Sequence, residues 1–140
     1  MTGWVVFALL SAVCAALVAV FGKMGVSSID STLATSVRAV IMAVFLVVVS
    51  LSLGKFKLID TIDNKALSFI VLSGIAGAMS WLFYFFALKY GPTAGVVAVD
   101  KLSVVFVLIL VTLFMGESLT WKSGVGAVLL TIGAILMSLK

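Results

Sequence analysis

The sequence predicts an all-α integral membrane protein, a bundle of five transmembrane helices. Three observations predict it. The chain is 64% hydrophobic with a mean hydropathy of +1.42. Only 10% of it is charged. Its apolar residues fall into five runs, each of the roughly 20 residues that cross a hydrocarbon core about 30 Å thick. A soluble domain is nearer half apolar and a quarter charged, and a small one leaves much of its area open to water.

The first span covers about 4–22, an uncharged run closed by Lys23. Ala8, Ala12 and Ala16 make a small-residue ridge that lets another helix approach closely in lipid. No Lys or Arg precedes the run, so the basic flank of a cleaved leader is missing and the segment reads as an uncleaved span. A turn over Ser27–Ser31 follows, with Asp30 or Ser31 as a natural N-cap. The second span, about 32–53, contains Arg38 and ends at Gly54. The polar connection from Lys55 to Lys65 interleaves Phe56, Leu58, Ile59 and Ile62, a pattern suited to the membrane surface.

The third span, about 66–88, has Asp63 or Asn64 as its cap. Ser73, Gly74, Gly77 and Ala78 make its surface thin, and an aromatic block follows from Trp81 to Phe86. Lys89-Tyr90-Gly91-Pro92 closes it, with the chain's one proline where a new helix starts. The fourth span, about 92–115, holds Asp100 and Lys101. Gly116-Glu117-Ser118-Leu119-Thr120 turns the chain into the fifth span, about 121–139, which Gly124, Gly126 and Gly133 make thin. Residues 1–140 thus read as one transmembrane domain.

Five spans put the two ends on opposite faces. One face receives Lys55, Lys57, Lys65 and Lys122; the other receives Lys23, Arg38, Lys89 and Lys140. Orientation follows an imbalance of Lys and Arg between the faces, and this tally has almost none. Two readings follow: a fixed orientation held by a weak bias, or dual topology, in which copies insert both ways and pair antiparallel. The basic residues are scattered beside spans rather than gathered into a phosphate-binding patch, which argues against nucleic acid. Cys14 is a lone cysteine, and the chain has no histidine, which removes the commonest metal ligand and general base. No zinc spacing, phosphate-cradling loop or nucleophile–base arrangement is present, so neither an enzyme, a metal nor a cofactor is expected.

The charged pair inside the fourth span carries the most information. Lys101 lies about 13 Å along a helix that begins at Pro92. Charges so deep cost about 2.5–3.5 kcal/mol each on insertion scales and face a bundle interior or a wet cavity. Neighbouring helical positions do not face one another, so each of Asp100 and Lys101 is expected to seek a partner on another helix. Arg38, about 9 Å into its own helix from the same membrane side, is a candidate partner for Asp100. Lys101 would then point to a solute cavity; alternatively, all three form an ionic clamp that fixes packing. Trp81 and Tyr84, three apart, share a face that could line a cavity and stack on a cationic or aromatic solute. The alternative is an interfacial belt, the preferred reading for Phe85, Phe86 and Tyr90. Ser80 and Ser103 could hydrogen-bond across helices or to a solute.

Several stretches then resemble a known family: Gly22-Lys23-Met24-Gly25, the run from Asp30 to Arg38, Ser80-Trp81-Leu82-Phe83-Tyr84-Phe85-Phe86-Ala87-Leu88, Val99-Asp100-Lys101-Leu102-Ser103-Val104-Val105, and Gly116-Glu117-Ser118-Leu119. They are similar to the single-domain, five-helix EamA-type proteins of the drug/metabolite transporter superfamily, over essentially the whole chain. The resemblance implies a multi-pass inner-membrane transporter of small metabolites or drug-like solutes. It implies a half-size unit, since longer relatives carry two such units inverted within one chain. An antiparallel homodimer would recreate that arrangement, in agreement with the charge tally, and place solute near the midplane. The expected partners are the lipid bilayer, a second copy, a small-molecule solute and, through Asp100, protons. Two other functions stay open: a half-unit needing a different partner chain, and a structural or assembly subunit.

Overall fold

The computed structural model describes residues 3–139; Lys140, one of the cations in the charge tally, lies outside them. Among these residues the secondary structure is helical throughout, and five helices are long and apolar enough to span a bilayer. They are α1 (Gly3–Val26), α2 (Ser31–Ser52), α3 (Asn64–Tyr90), a fourth span made of α4 (Thr93–Asp100) and α5 (Ser103–Met115), and α6 (Trp121–Ser138). A 3-10 segment, Lys55–Thr61, joins α2 to α3.

The helix ends follow from local chemistry. Asp30 is the N-cap of α2: its carboxylate accepts the Leu33 N–H at 3.0 Å, which satisfies one of the donors that a first turn leaves over. Asp63 does the same for α3 through the Ala66 N–H at 2.9 Å. Thr120 caps α6 through the Ser123 N–H. Gly54 (φ 64°) and Gly116 (φ 68°) occupy the left-handed region after α2 and α5, where a Cβ would be strained. α1 continues one turn past its expected end, to Val26, because Lys23 need not leave the helix to find a partner. Its ammonium donates to the Gly91 carbonyl at 2.9 Å.

Two compact units divide the chain. One comprises Met24–Lys89, that is, the end of α1, α2, the 3-10 segment and α3; the other comprises α1 up to Lys23 and the chain from Tyr90 onward. In the first unit Val26, Ser31, Phe85 and Leu88 are buried, and Lys89 donates to the Ile29 carbonyl at 2.9 Å. In the second, α4 and α5 both pack on α6, and Ala98 and Ala134 are buried. Most apolar side chains along the spans stay uncovered, among them Phe7, Phe45, Leu72, Phe106 and Leu136. That is the distribution expected where lipid takes the place of a protein core.

Several hydroxyls within the spans are satisfied by their own helices. Thr35, Ser36, Thr112 and Thr131 each donate to the carbonyl four residues earlier, the inexpensive way to keep a hydroxyl in lipid.

The cap at Asp30 carries a pH prediction. The Leu33 N–H, helped by the nearby Lys89 ammonium, holds the Asp30 carboxyl below its ordinary value. A lowered folded-state pKa means stabilisation that is present above the unfolded value and lost as pH falls through the folded one. Asp30→Ala is therefore expected to melt earlier than wild type at neutral pH in detergent. The gap should close as the solution is acidified below the usual carboxylate range, as thermal unfolding scans across pH would show.

Candidate functional site

The fourth span is not one continuous α-helix. Lys101, Leu102, Val104 and Val105 donate their N–H groups to carbonyls three residues back, and the four-residue pattern returns with Phe106 donating to Leu102. This is a tightened 3-10 turn, set about 12 Å into the span at 1.5 Å per residue. No Pro or Gly forces it. The local sequence instead resists regular helix. Val96, Val97, Val99, Val104 and Val105 are β-branched and stiff against the preceding turn, and Asp and Ser are weak helix formers that compete for backbone groups.

The break accounts for a pairing that helical geometry disfavours. Asp100 ends α4 and Lys101 lies in the turn. Their side chains meet at 3.2 Å between Nζ and Oδ2. Sequence reasoning treated the fourth span as one helix, in which these two residues would look away from each other. The side chains keep 52% (Lys101) and 35% (Asp100) of their surface accessible.

α6 holds α4 in place. Gly95 is buried, and a Cβ built there would stand 3.3 Å from the Met137 carbonyl oxygen and 3.4 Å from the Ser138 Cα. Ala98, one turn on, is also buried. Small residues at this spacing let two helices approach to backbone contact. The half-helix that ends in Asp100 is therefore clamped along its length, and Ser103 opens α5 on the far side of the break.

A second cluster lies in the other unit. Arg38, on α2, lays its guanidinium over the ring of Trp81, on α3, at 3.6 Å from the centroid, and reaches Phe85 at 5.3 Å. Trp81 meets Tyr84 edge-on at 5.6 Å and Phe85 at 5.9 Å; Tyr84 meets Phe85 at 6.0 Å. The spacing of three and four residues puts all three rings on one side of α3, and the cation lies over the faces of Trp81 and Phe85. Trp81 and Tyr84 thus come together as expected, though the cation stacked on Trp81 is the protein's own. Phe85, expected in an interfacial belt, is buried within this cluster. The i, i+4 relation to Trp81 was the available signal for it. Ser80 and Ser103 are exposed, and neither side-chain hydroxyl forms a hydrogen bond with another described residue.

The chain therefore carries charged groups at two places inside apolar spans, one at an interrupted helix and one on an aromatic wall. Comparison with known proteins gives the family. The model of the EamA-like transporter family matches residues 2–139. The chain belongs to this family. Among curated relatives, a protein of Sinorhizobium sp. described as an uncharacterized transporter in the cobO 3′ region is 41% identical over 135 residues, 96% of each chain. An uncharacterized protein of Methanocaldococcus jannaschii is 31% identical over 86 residues, covering 61% of this chain and 63% of its own length. No solved structure matches the chain. This EamA-like protein is a multi-pass membrane transporter of the drug/metabolite superfamily, and a lipid bilayer and a small-molecule solute are its surroundings and its cargo.

Proposed function

We propose that this EamA-like chain is a half-size secondary transporter, working by alternating access as an antiparallel homodimer in the inner membrane. The reading rests above all on the ion pair held at the interruption of the fourth span. Intramembrane charge marks solute and ion paths, and interrupted helices are a recurrent way for transporters to bring polar groups to the midplane. Asp100, Lys101 and Ser103 belong to the solute path at the break. Arg38, Trp81, Tyr84 and Ser80 meet solute from their own unit, on α2 and α3. Asp100 is the group that exchanges protons if transport is proton-coupled. The balanced Lys and Arg tally supports insertion in both orientations.

The test is reconstitution of the purified chain alone into proteoliposomes, followed by uptake from a bacterial small-molecule extract read by mass spectrometry. Accumulation of defined solutes above protein-free vesicles is expected. No accumulation from the chain alone, with accumulation restored by co-expressed membrane partners, would replace the homodimer with a two-gene unit.

A further inference from the structure

The aromatic wall on α3 bears on the charge of the cargo. A face of tryptophan flanked by tyrosine and phenylalanine is, taken alone, a receptor for a cationic solute. Here that face is occupied. The Arg38 guanidinium lies 3.6 Å from the Trp81 centroid and also reaches Phe85, so an organic cation meets both a covered ring and a like charge.

Stacking satisfies the flat faces of a guanidinium but not its edge. Its five N–H donors lie in the plane of the group, and an aromatic ring beneath that plane offers them no acceptor. Within residues 24–89 no hydrogen bond or salt bridge from the Arg38 guanidinium accompanies the stacking, although Tyr84 lies near enough to act on its charge. Arg38 is also only partly buried, so the edge is within reach. Such an edge is a rigid fork that matches the two oxygens of a carboxylate or the oxygens of a phosphate. Held about 10 Å into the helix that starts at Ser31, where water is scarce, it gains more from an oxyanion than it would at the surface.

We infer that Arg38 is the docking point for an oxyanion of the cargo, and that the transported solutes are small organic anions. The partly exposed ring of Trp81 takes the cargo's apolar part. This inference rests on the transporter reading and narrows it from solutes in general to anions. It differs from the expectation that Trp81 and Tyr84 receive a cationic or aromatic ligand, because the stacked cation is already present.

A matched series tests it: phenylacetate, phenyl phosphate, phenylacetamide and phenethylammonium, each added to the purified protein in detergent while thermal unfolding is followed. Phenylacetate or phenyl phosphate is expected to raise the melting temperature, and the larger shift identifies which oxyanion the fork prefers. The neutral amide and the cation should leave it unchanged. Arg38→Gln, and equally Arg38→Lys, which keeps the charge but loses the fork, should weaken the apparent affinity for the anion at least tenfold. Stabilisation by phenethylammonium, or anion binding undiminished in Arg38→Lys, would overturn the assignment. So would an Arg38→Gln protein that unfolds but is rescued by Asp100→Asn, since the fork would then belong to the protein's own carboxylate. The extract-uptake experiment separates the two levels. Accumulated solutes that are neutral or cationic defeat the anion assignment alone, whereas the absence of any accumulation defeats the transporter reading beneath it.

Discussion

Replacing Lys101 by methionine is expected to reduce uptake by reconstituted vesicles at least about a hundredfold, while the protein still inserts and purifies. Methionine keeps the length and apolar stem of lysine and fits lipid or protein without strain, so the change removes charge with little cost in packing. Asp100 is then left with no partner at the break, where an isolated carboxylate is poorly tolerated. The double variant Asp100→Asn with Lys101→Met separates the two roles that an intramembrane pair can play. If the pair only docks helices, removing both charges together should restore stability and activity alike, since paired charges and apolar groups are often interchangeable in stability. The transport role predicts recovered stability with uptake still absent. Should Asp100 be the coupling group, any uptake left in Asp100→Asn alone should no longer respond to an imposed pH gradient.

The second large effect is expected at Gly95, far from any charge. The approach of α4 to α6 depends on the missing Cβ: the Met137 carbonyl oxygen and the Pro92 ring would each lie 3.3 Å from one. One of these neighbours is backbone and cannot turn aside. Gly95→Ala should be tolerated with a small loss, because a shift of a few tenths of an ångström accommodates it. Gly95→Leu should force the helices apart, at a cost of about 1–3 kcal/mol or more for an overpacked contact. It should also slow transport by releasing the half-helix that carries Asp100. A cysteine pair across the interface, such as Ala98→Cys with Ala134→Cys on an otherwise Cys14-free background, would report this separation. Cross-linking efficiency should fall sharply in Gly95→Leu and little in Gly95→Ala.

The architecture was legible because lipid imposes one rule, that backbone polar groups must be bonded within a helix or a closed barrel. Each of the five apolar runs then had one outcome. The punctuation was equally readable. Asp30, Gly54, Asp63 and Gly116 have side chains, or lack them, in ways that stop or start helices, and each does so here. The break in the fourth span was not legible. It has no proline or glycine to announce it, only a run of β-branched residues around Asp100, and hydropathy averages over such a defect. Missing it also led to the view that Asp100 and Lys101 must look away from each other. The Arg38 cluster was half legible. Spacing placed Trp81 and Tyr84 on one face, but which cation would lie on that face depends on the register of α2 against α3, which neither helix encodes alone. Gly95 passed unnoticed for the same reason: a small residue reveals its use only when the opposing helix is in place.

Under the proposed reading, a five-helix chain with balanced flanking charge forms its transport unit by pairing two oppositely inserted copies. The most direct measurement is the exposure of a C-terminal tag on intact cells and on inverted vesicles carrying the chain as their source of the tag. Comparable fractions accessible from both sides are predicted, and adding two lysines to the turn at Glu117 should drive the population to one orientation and remove uptake. A tag accessible from one side alone, in a protein that nonetheless transports, would contradict the claim.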